Sequence, residues 1–431
     1  MIEATYYIES QLDLSYVAEQ IAKEQSAGHS TSWEGISDES YLAGKSEVAG
    51  LEEVEPTEDP LPLALTRPSG ARVGVRKAAR VRVRYSNWRC EDGLVSLLNT
   101  LLGEPQHLGI VSALRLEQVD LQSLRGDSFP GPPFGNSWFA KGAPPATRTL
   151  LCAPIKPSAG LLPEEAGKLA YQAAVGGATV VKDDELAFST ARTSNVSRAR
   201  VVAREVRRAE QDTGERKVYL ANAIAPGYRF NERCRDLVEA GADALLVAPS
   251  LQGQDCITTM RHDGIDLPVV AHNAYQTNAS RLVSFGLALP LWVSLQRLAG
   301  ADGVVLPSGY GSFGFSAEET RSMVESCHQD LDGKKPSLAM HSGSVSVQNA
   351  DKLMALHDTA LVALTSGTGI FDHPGGAEAG AQALRAVIDP EWRRDHGRPE
   401  ILEESIRLAR ETGQEWAYFS DRMNVQDGHR G

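Results

Sequence analysis

The chain has 431 residues, 42% hydrophobic and 23% charged, with a formal net charge of -13. That length suits one large domain with a smaller one, and the composition is that of an ordinary globular protein. The negative balance, with no basic block to offset it, argues against a nucleic-acid partner. Residues 3–8 (EATYYI) are β-formers and read as a strand, and Leu14, Val17 and Ile21 have helical spacing between Asp13 and Ser26. Ser26 to Asp59 is polar and acidic and is expected to form loops and weak strands that order only against a partner surface. Val73 to Tyr85 alternates Val with Arg and Lys as a half-solvated strand should. A helix over Glu91–Leu102 and a strand over Gly109–Glu117 complete a small α+β domain, ending near the turn Gly131-Pro132-Pro133-Phe134-Gly135.

After residue 149 short apolar runs alternate with helical stretches. The expected strands are Leu150–Lys156, Ala178–Glu185, Lys217–Ala223, Ala242–Pro249, Leu267–Asn273, Asp302–Ser308, Ser337–Gly343 and Thr359–Gly367. Their continuous hydrophobicity marks strands buried on both faces of a parallel sheet. Pro163 with Glu164 and Glu165, and Ser316 with the acids behind it, supply helix starts. About eight such units make a (β/α)8 barrel, closed by a helix over Gly375–Ile388 and followed by a helical tail from Glu403 to Phe419. The expected division is residues 1–135 and 136–431.

Five cysteines (Cys90, Cys152, Cys234, Cys256, Cys327) are scattered without a CxxC pair, which points to a reducing compartment, not a disulfide framework or a zinc site. The stretch MIEATYYIES has no signal-peptide pattern. The most apolar segment, Leu287–Leu298, is broken by Pro290 and too short to span a bilayer. A cytoplasmic protein with no membrane partner is expected.

Barrel chemistry sits at the carboxyl ends of the strands. Those ends here carry Lys156, Lys182, Asp184, Glu185, Asn222, Pro249, His272, Asn273, Ser308, Ser342, Gly343, Ser366 and Gly367. On the run Val180–Glu185, strand alternation sends Lys182 and Asp184 one way and Asp183 the other. An amine and two carboxylates at one strand end suit a hard divalent cation; a charged surface junction is the plain alternative.

The residues resemble a known family. PIKPSAGLLPEEAGKLAYQAAVGGATVVKDDE (Pro154–Glu185) is similar to the first two strand ends of ribulose-bisphosphate carboxylase large chains. SALRLEQ (Ser112–Gln118), PGPPFG (Pro130–Gly135), FDHPGGAEAG (Phe371–Gly380) and EQSAGHSTSW (Glu24–Trp33) extend the likeness over nearly the whole chain. The resemblance implies a C-terminal TIM barrel with an N-terminal ferredoxin-like α+β domain. It implies Mg2+ held by Asp184, Glu185 and a carbamate that CO2 forms on Lys182, since an amine attacks CO2 only when neutral. It casts Lys156 as proton donor and His272 as the histidine approaching substrate hydroxyls. It further implies a homodimer with a shared active site, in which Glu24 and Trp33 come from the partner. Asn273, Ser342, Gly343, Gly367, Thr368 and Gly369 fall where the family grips substrate or phosphate.

The departures narrow the function. Ser158 stands where carboxylases have a second lysine, Glu104 where they have an asparagine, and Asn273 where they have a phosphate-gripping arginine. The loop Leu306–Ser316 (LPSGYGSFGFS) has no lysine to stabilise a carboxylated product. A RuBisCO-like, non-carboxylating enzyme is expected, one that stabilises the enolate of a small keto sugar acid or its monophosphate. The first expectation is decarboxylation or C–C cleavage of a 3-oxo acid, as in the apionate-degrading branch. The second is the methionine-salvage enolase or isomerase branch, whose loop after strand six resembles Pro307-Ser308-Gly309-Tyr310-Gly311-Ser312. Against it, Leu121–Gly135 offers only Arg125 where that branch keeps a lysine base. A non-catalytic regulatory relative is the alternative from another class.

Overall fold

In the computed structural model of the chain, the described residues are 2–24, 46–56, 75–124, 127–144, 147–158, 160–190, 193–282, 284–309, 315–357, 360–396 and 398–411. They form two compact units. The first comprises Met1–Pro130, Tyr275–Ala299 and Asp330–Lys334; the second comprises Gly131–Ala274, Gly300–Gln329 and Lys335–Gly431.

The first unit is built on a five-stranded sheet. Its strands are β1 (Ile2–Ser10), β2 (Glu47–Val54), β3 (Lys77–Tyr85), β4 (Ala113–Val119) and β10 (Phe285–Leu287), in the order β10-β4-β1-β3-β2. β1 runs antiparallel to both β3 and β4, and the late strand β10 lies parallel to β4. The helix Leu14–Glu24 buries Leu14, Val17, Ala18, Ile21 and Ala22, the face its periodicity marks. Tyr6 and Tyr85 are buried with their hydroxyls 3.1 Å apart, and Tyr6 also donates to Leu101 O at 2.8 Å. The other face of β3 carries an exposed ladder, with Arg80 paired to Glu117 and Arg84 to Glu3.

Two features of this unit differ from the sequence reading. Glu47–Val54 is a strand paired with β3 of the same chain, so this part of the acidic stretch needs no partner surface to order. Residues 25–45 and 57–74 lie outside the described residues. Tyr275–Ala299, placed in the barrel by the division at 135/136, supplies β10 and the helix Leu289–Leu298 to the first unit. β10 has three residues centred on Gly286, whose added Cβ would stand 1.9 Å from Ala279 O at φ +111, so only glycine fits and no alternating pattern can announce the strand.

The second unit is a closed parallel barrel, a TIM barrel. Its strands are β5 (Thr149–Pro154), β6 (Val180–Lys182), β7 (Val218–Asn222), β8 (Ala244–Val247), β9 (Val269–Ala271), β11 (Gly303–Pro307), β12 (Leu338–Ser342) and β13 (Val362–Thr365). β13 closes onto β5 with Val362 opposite Thr149. Each expected strand is present, shortened at its ends except that β5 begins one residue earlier, at Thr149. Leu150, Cys152, Val180, Val218, Leu220, Leu246, Val270, Val305, Leu338 and Met340 fill the interior above Phe139. Residues of the opposite parity, such as Leu151, Ala153 and Leu364, pack outward against Ala173, Ala381 and Leu384 of the surrounding helices. Ser316 and Glu319 form a reciprocal capping box on the helix Ala317–His328. The helix Gly376–Ile388 closes the barrel, and Pro399–Glu411 is the described part of the tail.

Two buried polar groups tie the barrel together. Asp302, fully buried, accepts from Phe134 N (2.8 Å), Gly135 N (2.7 Å) and Val269 N (3.0 Å) and pairs with Arg261 at 3.1 Å. His341 has the outward parity on β12 and is fully buried, its ring stacked on His357 with centroids 4.9 Å apart. Neither ring nitrogen of His341 has a hydrogen-bond partner among the described residues. No helix among the described residues is long and apolar enough to cross a membrane.

Candidate active site

The period that fills the barrel also places the polar groups. Val180, Leu220, Val270, Met340 and Ala363 point inward, so two residues further along each strand come Lys182, Asn222, His272, Ser342 and Thr365, all with the inward parity. Sequence alternation delivers apolar side chains to the middle of the barrel and polar ones to its carboxyl end. This is the end at which barrel enzymes carry their chemistry.

Lys182 is 2% exposed and donates to Glu185 Oε2 at 3.1 Å. Lys156, two residues beyond the end of β5 and with the inward parity of Leu150 and Cys152, donates both to Asp184 Oδ2 and to Ser158 Oγ at 2.7 Å. His272 Nδ1 accepts from Ala274 N at 3.0 Å. That bond leaves the ring proton on Nε2, which faces Glu185 Oε2 at 3.2 Å. Burial pushes the His272 imidazole below its ordinary value against the pull of Glu185, so the ring is neutral. Burial alone would raise the Glu185 carboxyl; the His272 bond and the Lys182 charge overcome it and hold Glu185 well below the usual carboxylate range.

The strand β6 ends at Lys182, so Asp184 and Glu185 stand in the following loop and not on the strand. Asp183 turns away from the barrel interior, as its parity requires, and is 1% exposed. It pairs with Arg198 Nε at 3.1 Å and accepts from Tyr219 OH at 2.9 Å and Asn222 N at 3.2 Å. Burial lowers the Arg198 guanidinium, but the charge and hydrogen bond of Asp183 together with Tyr219 and Asp184 outweigh it and raise the value. Asn222 Nδ2 donates to Asp184 O at 2.9 Å and Glu185 O at 3.2 Å. Among strand-end residues Asn222 was visible in the sequence but had no role. Arg198 was not visible at all, because an arginine inside a charged helix carries no signal of its own.

The remaining expected residues fall as follows. Asn273 and Ser342 are half-buried at their strand ends. Gly343 and Ser344 both take left-handed backbone, at φ +94 and +53, and Ser308 Oγ donates to Gly343 O at 2.5 Å. Gly367 lies against Lys156, where an added Cβ would stand 3.0 Å from Lys156 Cε. Thr368 is exposed and opens the single helical turn Thr368–Phe371, within which Gly369 packs on Ser366. Glu24 ends the helix Leu14–Glu24 of the first unit. Trp33 lies outside the described residues.

The donor set fits a family cation on one condition. Among the described residues no three acid, histidine or cysteine groups converge as a metal cage. Asp184 and Glu185 supply two carboxylates, and each is already bonded to a lysine amine. Lys182 makes one hydrogen bond among the described residues although its ammonium carries three donors and is buried. Converting that amine to a carbamate would provide the missing third acid, so the residues fit a cation with oxygen ligands once Lys182 is modified.

Residues 141–412 match the ribulose bisphosphate carboxylase large chain, catalytic domain. The chain belongs to that family. It is 31% identical over 390 residues to an uncharacterized ribulose bisphosphate carboxylase-like protein of Bordetella bronchiseptica, covering 89% of this chain and 90% of that one. It is 29% identical over 399 residues to a 2,3-diketo-5-methylthiopentyl-1-phosphate enolase of Geobacillus kaustophilus, covering 90% and 92%. Among solved structures, a rubisco-like protein of Alicyclobacillus acidocaldarius superposes with a TM-score of 0.77 at 28% identity, over 94% of this chain and 99% of that one. The family likeness therefore lies with RuBisCO-like proteins, and the TIM barrel with a separate N-terminal sheet is the family's fold.

Proposed function

We propose that this RuBisCO-like chain is a non-carboxylating, Mg2+-dependent enzyme that forms and protonates the enolate of a small keto sugar acid or its monophosphate. The reaction we favour is decarboxylation of a 3-oxo acid. What supports the reading is the convergence of Lys156, Lys182, Asp184, Glu185 and His272 at the carboxyl end of the barrel, each within 3.2 Å of another member. A cation held by Asp184, Glu185 and carbamylated Lys182 would polarise the substrate carbonyl and stabilise the negative charge that develops on its oxygen.

The chain's own groups do the rest. When the bond to the carboxylate carbon breaks, CO2 leaves and its electron pair passes into the enolate. The Lys156 ammonium, held by Asp184 and Ser158, is aimed to deliver a proton to the carbanionic carbon. Neutral His272, its tautomer fixed by Ala274 N, presents an N–H to a substrate oxygen or to Glu185. Carboxylation is disfavoured because the loop Leu306–Ser316 and Asn273 offer no cation where the family's carboxylases use lysine and arginine. By the family resemblance a homodimer completes the reading, with Glu24 and Trp33 assigned to the partner's site.

A second reading is supported by the named enolase relatives and by the Pro307–Ser312 sequence. Here the enolate forms by proton abstraction, without loss of CO2. One assay separates the two. With Mg2+ and bicarbonate present, 3-oxo sugar acids should release CO2, with solvent deuterium entering the product. Solvent exchange into a methylthio-substituted diketo phosphate, with no CO2 from any 3-oxo acid, would replace the first reading with the second. Neither reaction, together with an unmodified Lys182 under saturating bicarbonate, would leave a non-catalytic protein.

A further inference from the structure

We propose that Arg198 and Asn222 are positioning residues for the cation-binding loop, and that they set the Mg2+ affinity of the site without touching the ion. The inference rests on the functional reading above and deepens it.

The argument starts from the backbone. β6 ends at Lys182, and Asp183 N makes the last ladder bond, to Leu220 O at 2.9 Å. Beyond it the chain bends away, and among the described residues its own bonds are local: backbone turns from Ala187 N to Asp184 O at 3.1 Å and from Phe188 N to Leu186 O at 2.9 Å, and Leu186 N to Asp184 Oδ1 at 3.0 Å. Two turns of that kind do not fix a loop to a barrel, and buried carbonyls still need donors. Those donors are side chains. Asn222 Nδ2 reaches the carbonyls of Asp184 and Glu185, the two residues whose carboxylates the reading assigns to the cation. Arg198 Nη2 donates to Ala187 O at 2.6 Å while its Nε holds Asp183. The loop is therefore pinned at three carbonyls and one buried carboxylate, from two different elements: the end of β7 and the helix Asn195–Thr213.

The pins are themselves fixed. Asn222 Oδ1 accepts from Ile224 N at 2.8 Å and Asn222 O from Asn195 Nδ2 at 3.1 Å, so the amide cannot rotate away without losing several bonds. Asn195 is also tied to the far end of the loop, where its backbone N donates to Ser189 Oγ at 3.0 Å. Outward, Leu186 and Phe188 are exposed and supply no packing of their own. The carboxylates themselves meet Lys156, Lys182, His272 and Leu186 N; among the described residues the backbone that carries them is held by polar groups on Arg198 and Asn222. A divalent cation with hard oxygen ligands is sensitive to ligand placement at the level of half an ångström, so loosening either pin lowers affinity.

The test is calorimetric titration of the full-length protein with MgCl2 in bicarbonate buffer, below the melting temperature of each variant. Wild type should bind. In Asn222→Ala and Arg198→Met the dissociation constant should rise about 10- to 100-fold, as for other groups that orient metal ligands. Arg198→Lys, which keeps the charge on Asp183 but loses the second arm to Ala187 O, should recover part of the loss. If Arg198→Met does not fold, Arg198→Lys and Asn222→Ser carry the test. Wild-type affinity in folded Asn222→Ala and Arg198→Lys would overturn the inference while leaving the site intact. Absence of Mg2+ binding in wild type would overturn the site reading, and the inference with it.

Discussion

His341 should make the barrel acid-sensitive, and by a calculable amount. Burial, with a smaller contribution from the neighbouring His357 ring, lowers its value from 6.5 to about 3 in the folded chain. The unfolded chain therefore binds a proton below pH 6.5 that the folded chain refuses until about pH 3. In that window the unfolded state holds more protons, so stability falls as the pH falls and is fully present above 6.5. At pH 5 the loss relative to pH 7.5 is about 2 kcal/mol, rising to about 4 kcal/mol near pH 3. His341→Leu removes the titration and fills the same apolar site, whose ring nitrogens have no partner among the described residues to lose. Urea denaturation of both proteins at pH 7.5 and pH 5 reads the difference directly. The variant should lose about 2 kcal/mol less than wild type on acidification. Equal losses in the two proteins would refute a buried neutral His341.

Three further outcomes follow from the geometry. Gly367→Ala places a methyl 3.0 Å from Lys156 Cε. Because that side chain can shift, stability should change by under about 1 kcal/mol, while turnover falls by about 100-fold as Lys156 leaves Asp184; thermal melting beside an activity assay checks both. Asp302→Ala strips three backbone donors and Arg261 of a common acceptor, and should cost about 3–5 kcal/mol in urea denaturation. Lys156→Met removes an ammonium bonded at 2.7 Å to a carboxylate the cation needs. Mg2+ should then bind tighter by about 1 kcal/mol or more although turnover is lost; weaker binding in calorimetry would contradict the assigned competition.

Much of the barrel was legible because its strands are buried on both faces. Val180-Val181, Ala244–Val247 and Val362–Leu364 are unbroken apolar runs, and runs of that kind mark a strand without needing a tertiary context. The same runs hide where pairing stops, which is why Asp184 and Glu185 were read onto β6 and are found in the loop beyond it. In the first unit the signals were weaker. β2 (EVAGLEEV) has acids and a glycine at positions where alternation should show, and it is held by pairing to β3 along its length. At the site, the lysines and acids declared themselves by their placement at strand ends. Asn222 showed its place but not its role, and Arg198 showed neither, since both satisfy backbone carbonyls of a loop whose path the sequence does not reveal.

The charge inventory of the site limits what it can hold. Among the described strand-end residues Lys156 and Lys182 face Asp184 and Glu185 in two close pairs, so the four charges cancel before any ligand arrives. His272 is neutral by burial and adds nothing. Turning Lys182 into a carbamate makes the set negative by two, and one divalent cation returns it to neutrality. A bisphosphate brings about four negative charges, and such anions bind where spare guanidinium or ammonium groups meet them. Asn273 stands where one such group would be needed and has no charge to offer. The backbone turn at Gly343-Ser344, with two successive left-handed residues, can still direct N–H groups at a single anion. Under the proposed reading, that balance would favour a substrate with one phosphate or one carboxylate over a bisphosphate, whichever bond is broken.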